Sequence, residues 1–292
     1  MKRHCLNTKR FLLLLVGSCY CSSASAAPEL TTAELLDLSL EELMKVTIVT
    51  GTQQSLAKAP GVASVITAKE IEDMGARDLD EVLETVPGLH VARVKDYVAI
   101  YTIRGMYTQL NPEILMLING IPLKSLYGGS RSASWGGMPI HMISRIEVIR
   151  GPGSAVYGAD AFAGVINIIT KTQDEIKGTE VGTRIGSFNT YEGWALHGDT
   201  WKGIDITASL EYSTTNGQKG IVREDAQTQY DKLFKTHASL APGPVNVEGD
   251  NIDARLDVKK GYGQARLGYQ GRRDLGSGTN ISQSLDPPGS RT

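Results

Sequence analysis

A glycine-proline-glycine turn is the part of the sequence whose residue types and spacing most readily suggest chemistry. Gly151-Pro152-Gly153 follows an apolar, strand-like run, as the phosphate-binding loop of a dinucleotide fold does. Val156, however, stands where the third glycine of that loop belongs, and Pro152 lacks the backbone N–H that would donate to a phosphate. No convincing helix follows the turn. These three features argue against a nucleotide-binding site, and we expect no cofactor.

Other side chains that could catalyse a reaction or bind a metal are not arranged for it. No serine lies in a nucleophile elbow, and paired acids such as Glu41 and Glu42 resemble the solvated face of a helix. The later histidines lack the spacing of metal ligands; they are His90, His141, His197 and His237. We therefore expect no catalytic residue, no metal site and no enzymatic activity.

The composition is that of a folded protein. The 292 residues are 41% hydrophobic and 21% charged, with a formal net charge of −2. These values exclude collagen and wholesale disorder. Because the slightly acidic balance offers no electrostatic attraction for phosphate, we expect no nucleic-acid partner.

Residues 1–26 have the three parts of a secretory signal peptide. Positive residues open the segment, Phe11 to Val16 form a short apolar core, and Ala24-Ser25-Ala26 supplies a small-residue cleavage site. Lipoprotein-type processing at Val16-Gly17-Ser18-Cys19 is the alternative. Cleavage after Ala26 would remove all three cysteines and with them any disulfide framework. No later apolar run reaches about 18 residues, which excludes a helical membrane protein.

Residues 27–55 form an acidic, helical segment followed by a β-branched run, Val46-Thr47-Ile48-Val49-Thr50-Gly51. The run has no obvious local partner to pair with. It could therefore add as a strand to the sheet edge of another chain. It could equally be an ordinary first strand of the following domain, and the pattern alone leaves both interpretations open.

Residues 56–172 alternate helix signals with strand-like runs. Thr67 and Glu70 fit a capping box, and Gly75 is placed to end that helix. Asp78 begins a second helix that Pro87-Gly88 stops. Five apolar runs read as strands: Val62 to Ile66, Ala99 to Ile103, Ile114 to Ile118, Ile143 to Ile149 and Val165 to Thr170. The segment is therefore predicted to be a compact α+β domain.

Residues 173–292 change to strict alternation of apolar and polar residues. The pattern is clearest at 204–213, 252–259 and 265–270, and weaker at 179–187 and 190–200. Tight turns alternate with long polar loops, such as 214–250. A transmembrane β-barrel with strands of about 9 to 11 residues has this form. A soluble sandwich shows the same alternation, and taken alone the alternation slightly favours the sandwich.

The segment from Arg145 to Lys171 closely resembles the end of the plug domain of TonB-dependent outer-membrane receptors. Ile103-Arg104-Gly105 and the run Leu117 to Leu123 resemble two further plug motifs, and Val46 to Gly51 resembles the TonB box. The resemblance covers residues 46–172 as plug and, less specifically, 178–270 as the first barrel strands. It implies an α+β plug domain followed by about five antiparallel strands of an incomplete transmembrane β-barrel.

The resemblance implies a receptor in the outer membrane, in contact with its lipid, for energised uptake of a scarce bulky nutrient. Ferric siderophores, haem and cobalamin are the ligand classes that it suggests. The TonB energy-transducing protein would bind Val46, Thr47, Ile48, Val49, Thr50 and Gly51. Arg104 and Arg150 match family arginines that pair with glutamates of the barrel wall and latch the plug. The alternative is that both are merely surface arginines at strand ends.

Four side chains near the expected plug apex are candidates for substrate contact: Tyr107, Tyr127, Arg131 and Trp135. They suit an anionic chelate and equally suit packing against a barrel wall. Roughly 120 residues follow Thr172, whereas a closed barrel of this family needs several hundred. We therefore expect a fragment or truncated product, with the glutamate partners in the missing part. A soluble periplasmic binding or signalling module, or a non-functional truncated receptor, is the alternative.

Overall fold

The computed structural model describes residues 45–46, 54–55, 62–93, 99–108, 111–122, 137–151, 153, 157–274, 276 and 284–285. All of them belong to one compact unit, Met44–Thr292. The predicted signal peptide and the helical segment that follows it lie outside the described residues. None of the described helices is long and apolar enough to cross a membrane.

Sixteen strands and four α-helices are described. The strands are β1 (Lys45–Val46), β2 (Gln54–Ser55), β3 (Val62–Thr67), β4 (Leu89–Arg93), β5 (Ala99–Ile103), β6 (Ile114–Ile118), β7 (Ile121–Pro122), β8 (Ile143–Arg150), β9 (Gly164–Thr170), β10 (Gly178–Gly186), β11 (Thr190–Trp201), β12 (Ile204–Thr215), β13 (Ile221–Val222), β14 (Gly243–Pro244), β15 (Gly249–Lys260) and β16 (Gly263–Arg273). The helices are α1 (Ala68–Asp73), α2 (Leu79–Glu84), α3 (Gln173–Ile176) and α4 (Ala226–Phe234), and a 3₁₀ turn spans Ala159–Ala161.

A five-stranded mixed sheet organises the first part of the chain, in the order β3-β8-β9-β6-β7. β6 runs parallel to β9, and the other neighbours are antiparallel. β6 and β9 are mostly apolar, as expected where both faces of a sheet are covered. Ile146 and Val148 face the larger core cluster, and Ile149 and Val165 face a smaller one. We call this sheet with its helices the plug.

The helix signals of the sequence are confirmed. Thr67 caps α1 in a reciprocal capping box with Glu70, and Gly75 follows with φ 67°. Asp78 caps α2 by accepting from the backbone N–H of Glu81. The apolar residues of these helices lie in the plug core: Ile71, Leu79, Val82 and Leu83. All five predicted strands are present within a residue or so, but β4, which pairs with β5, was not predicted.

The glycines around residues 151–164 allow unusual backbone angles and close backbone packing. Gly151 and Gly158 adopt φ of 137° and 77°, where other residues are strained. A Cβ on Gly164 would lie 2.5 Å from the carbonyl oxygen of Ile149. The N–H groups of Gly151 and Gly153 donate to backbone carbonyls of Ala163 and Ala161. They are therefore committed to the fold and unavailable to a phosphate.

The second part of the chain forms a five-stranded antiparallel sheet, in the order β10-β11-β12-β15-β16. We call this sheet the wall. Within the described residues no strand pairs with the outer edge of β10 or β16, so the wall does not close on itself. The loop between β12 and β15, expected to be simply polar, contains α4 and the small β13–β14 hairpin. A plug-like mixed sheet followed by antiparallel strands confirms the predicted fold class.

Candidate functional site

The wall turns its polar face towards the plug. Thr207, Ser209 and Glu211 alternate along β12 and are all buried, and Asp253 of β15 is 1% exposed. The intervening Leu210 and Tyr212 are about half exposed. A soluble sandwich would bury the apolar residues and expose the polar ones. The observed burial is the reverse, which excludes the sandwich interpretation for these strands.

The outward face of the wall carries an apolar band. Cross-strand register places Ala195, Leu210, Ala254 and Tyr269 in one row across four strands. Val181 and Leu267 are 73% and 69% exposed on the same face. Tyr191 and Tyr212 lie towards the end that carries the long β12–β15 loop. An apolar band with aromatic residues at its border is typical of strands that face lipid.

A carboxylate of the wall binds the turn that precedes β8. Glu211 is 3% exposed. Its two carboxylate oxygens accept from the backbone N–H groups of His141 and Met142, each at 3.2 Å. The His141 ring stacks on the Trp194 ring of β11, with centroids 3.6 Å apart and planes 8° from parallel. Two neighbouring wall strands thus hold one turn of the plug.

A guanidinium group makes a second contact between wall and plug. Arg184 of β10 donates through Nη1 to the carbonyl oxygen of Ala76, at 3.2 Å. The same nitrogen lies 3.3 Å from Glu192 Oε2 on β11. Glu192 therefore orients the arginine, and the arginine reaches the segment that joins the two plug helices.

Burial changes the acid–base behaviour of His141. Desolvation lowers the pKa of its imidazole to about 4, and the positive charges of Arg184 and Lys171 add to the effect. The ring that stacks on Trp194 is therefore neutral at neutral pH.

Buried polar groups also connect distant segments within the plug. The Tyr101 hydroxyl donates to Asp80 Oδ1 at 2.8 Å, and the Gly137 N–H donates to Asp80 Oδ2 at 3.1 Å. Burial, followed by the nearby Asp80 charge, raises the pKa of Tyr101 well above its ordinary value. Glu147, fully buried in β8, pairs with Arg145 at 2.8 Å and accepts from Asn167 at 3.2 Å.

A cleft of about 760 Å³ lies between plug and wall at the end with the long loop. Six carboxylates and two arginines line it: Asp78, Asp80, Glu81, Glu84, Glu192, Glu211, Arg77 and Arg272. No group of three or more potential metal ligands occurs in the part of the chain that the structure describes.

The two predicted latch arginines lie together at the Pro87-Gly88 turn. Arg150 donates to the Pro87 carbonyl oxygen and, at 2.9 Å, to Ser64 Oγ. The Arg104 N–H donates to the Gly88 carbonyl oxygen at 2.9 Å, and its side chain is exposed. Neither arginine pairs with a carboxylate among the residues described, so the latch stays a prediction.

The other predicted site residues are only partly described. Tyr107 is 56% exposed, in keeping with a contact residue. Tyr127, Arg131 and Trp135 lie outside the described residues, as do residues 47–51 of the predicted partner-binding strand. Val46 pairs with Gln54 in the short β1–β2 ladder. The expectation that this segment has no local pairing partner was therefore wrong at Val46.

The wall residues that hold the plug were not predicted from the sequence. Glu211 and Trp194 were simply parts of alternating strands, and His141 was an isolated histidine. Alternation did place Glu211 and Ser209 on one polar face. It gave no reason to expect that face to be buried, because polar faces of sheets in soluble proteins are usually wet.

Comparison with known proteins agrees with this architecture. Residues 55–165 match the TonB-dependent Receptor Plug Domain. The vitamin B12 transporter BtuB of Vibrio vulnificus is 38% identical over 137 residues, which cover 46% of this chain. The chain spans only 22% of that transporter's length.

Solved structures share the fold at low sequence identity. The ferripyoverdine receptor of the Pseudomonas aeruginosa outer membrane has a TM-score of 0.56 at 16% identity, covering 78% of this chain and 27% of its own. The ferric yersiniabactin uptake receptor FyuA of Yersinia pestis has a TM-score of 0.50 at 16% identity, with coverages of 72% and 31%. At this identity the likeness concerns the fold alone.

A mixed plug sheet packs against a wall with a buried polar face and an exposed apolar face, and this is the fold that the chain shares with the receptors compared above. Residues 55–165 therefore form a plug domain similar to that of TonB-dependent receptors, and the transporter relative agrees with that similarity.

Proposed function

We propose that this protein acts in energised uptake of a scarce bulky nutrient across the outer membrane. The observation that carries the proposal is the polarity of the wall, which buries Glu211 against the plug and exposes Leu210 on the other face. A lipid environment makes that arrangement favourable, because lipid covers the apolar face and the plug covers the polar one. The exported chain would lie in the outer membrane, with its N-terminus facing the periplasm.

In this proposal the plug closes the passage and TonB supplies the energy to move it. TonB would bind residues 46–51 by strand addition, because an extended β-branched peptide supplies main-chain hydrogen bonds and side-chain contacts together. The segments 27–55, 56–172 and 173–292 would then be the periplasmic segment, the plug and the membrane-facing strands.

The ligand would bind at the end of the wall that carries the long loop. The predicted classes are metal chelates and cobalamin. Carboxylates outnumber arginines in the plug–wall cleft, so a strongly anionic chelate would meet repulsion there. Among the predicted classes, the cleft therefore favours a ligand without net negative charge, such as cobalamin. The cobalamin transporter of Vibrio vulnificus is the relative that supports this choice.

Cell fractionation and ligand binding test the proposal together. We expect the full chain in the outer-membrane fraction, where it should give saturable binding of cyanocobalamin and weaker binding of an anionic ferric siderophore. Membranes without the chain are the control. Recovery in the soluble periplasmic extract would contradict a membrane receptor and favour the soluble-module alternative. Recovery in the membrane with the opposite ligand order would overturn the ligand assignment alone.

A further inference from the structure

We infer that Glu211 and Trp194 are positioning residues that hold the plug on the wall through a single turn, His141-Met142. The inference about position stands on the structure. Its consequence for transport, that this turn must leave the wall before the plug can move, rests on the function proposed above.

The two N–H groups that Glu211 binds have no alternative hydrogen-bond acceptor within their own turn. The turn is closed by the Ile143 N–H, which donates to the Ile140 carbonyl oxygen at 2.9 Å. The intervening N–H groups of His141 and Met142 point out of the turn towards β12. Met142 is 3% exposed, so water is not a ready substitute for the carboxylate. Losing the acceptor would leave the buried Met142 N–H unpaired, which is unfavourable.

Trp194 fixes the same turn from the side. Its indole N–H donates to Glu180 Oε1 at 3.3 Å, which ties the ring to β10. The neutral His141 ring then lies flat against it, at 3.6 Å between centroids. Stacking of this kind restricts the turn sideways, whereas the Glu211 hydrogen bonds restrict it along the direction of the N–H groups.

The turn that Glu211 and Trp194 hold lies directly before strand β8 of the plug sheet. β8 begins at Ile143, directly after the turn, and pairs with both β3 and β9. The Met142 carbonyl oxygen also accepts from the Lys171 N–H at 2.8 Å, at the end of β9. A contact at residues 141–142 therefore restrains two central strands at once, which a contact on a peripheral loop would not do.

Hydrogen exchange of the full chain in membranes or detergent tests the assignment, without ligand or TonB. We expect Glu211→Ala to raise the exchange rate of peptides covering residues 140–143 roughly tenfold or more, while exchange within the β8–β9 ladder stays unchanged. Trp194→Ala should give a smaller rise in the same peptides. Ser213→Ala is the matched control, because Ser213 is at the next inward position of β12. It should change neither the exchange at residues 140–143 nor the exchange within the β8–β9 ladder.

Unchanged exchange at 140–143 in Glu211→Ala would overturn the inference. If that variant raises exchange throughout the chain, the near-isosteric Glu211→Gln decides: a rise confined to 140–143 supports the assignment, and no local rise contradicts it. The exchange experiment measures no transport. Its outcome therefore does not depend on whether the chain takes up a nutrient, and the function proposed above can fail while this assignment stands.

Discussion

At the scale of single residues, the contacts between plug and wall combine a carboxyl acceptor, a stacked ring and a guanidinium group. Glu211 supplies the acceptor oxygens for two backbone N–H groups. His141 stays neutral because burial disfavours its charged form.

The titration of His141 is the first prediction at this scale. Its pKa of about 4 lies below the ordinary value of 6.5. Between these values the unfolded chain binds the proton and the folded chain does not, so His141 contributes stability above about pH 6.5 that is lost as pH falls towards 4. Arg184, Lys171 and Glu211 are the charged groups that face or adjoin it. NMR titration should show the low pKa, and a rise in the Trp194→Ala variant; an ordinary pKa in the unaltered chain would refute the burial.

Arg150 gives a second prediction. Its guanidinium group joins Ser64 of β3 to the Pro87 carbonyl oxygen. Arg150→Leu should lower the free energy of unfolding by about 1–3 kcal/mol because both bonds are lost. Arg150→Lys should restore only part of that free energy of unfolding, because an ammonium group cannot reproduce the planar arrangement of donors in a guanidinium group. Ser64→Ala, which removes one of the two acceptors, should have the smaller effect in denaturant titrations. Equal stability of all three variants would contradict this role.

At the scale of helices and strands, local sequence signals and long-range strand pairing determine different parts of the fold. Capping residues set where α1 and α2 begin, and Asn119-Gly120, with φ of 51° and 80°, makes the two-residue turn that the β6–β7 hairpin needs. The sheets themselves depend on pairing between distant segments, such as β3 with β8. Each wall strand has one face for the plug and one for its surroundings, and the two faces should differ in the substitutions that they tolerate.

A charge placed on each face of β16 tests that difference. Leu267 lies on the outward face and Gln270 on the inward one. Leu267→Lys should oppose membrane insertion by about 2–4 kcal/mol near the middle of the bilayer and should reduce the amount recovered in the outer-membrane fraction. Gln270→Lys, the matched control on the same strand, should be recovered as the unaltered chain is. Equal recovery of the two variants would show that the outward face does not meet lipid.

At the scale of the whole molecule, the plug and the wall complete one another. Without the plug, Glu211 and Asp253 on the inward face of the wall would be uncovered, and without the wall the turn before β8 would lose its acceptor. In the function proposed above, the N-terminal segment would connect this assembly to TonB in the periplasm. Substitutions in that segment should therefore reduce uptake without changing ligand binding.

Substitution in the predicted partner-binding strand tests that separation. Ile48→Pro removes a backbone N–H and should abolish cross-linking to TonB, because strand addition needs main-chain donors. Ile48→Val keeps the N–H and the β-branched shape and should cross-link normally. Ligand binding should be equal in both variants. Normal cross-linking of Ile48→Pro would rule out strand addition at this segment.

The amino-acid sequence by itself determined the local structure and the family resemblance. Capping residues, turn residues and the periods of apolar residues are short-range properties, so the positions of α1, α2 and most strands could be predicted from them. β4 and α4 were missed because their segments were read as a helix stop and a polar loop. The motif between Arg145 and Lys171 also carried the plug resemblance before any contact was known.

Only the tertiary structure decided which face of the wall is buried and which residues hold the plug. Alternation along β12 separates Ser209 and Glu211 from Leu210 but does not say which set meets water, because that depends on what covers each face. Glu211 and His141 are 70 residues apart in the chain. A hydrogen bond between such distant residues leaves no periodic signal in the sequence, and it exists only because folding brings β12 beside the turn that precedes β8.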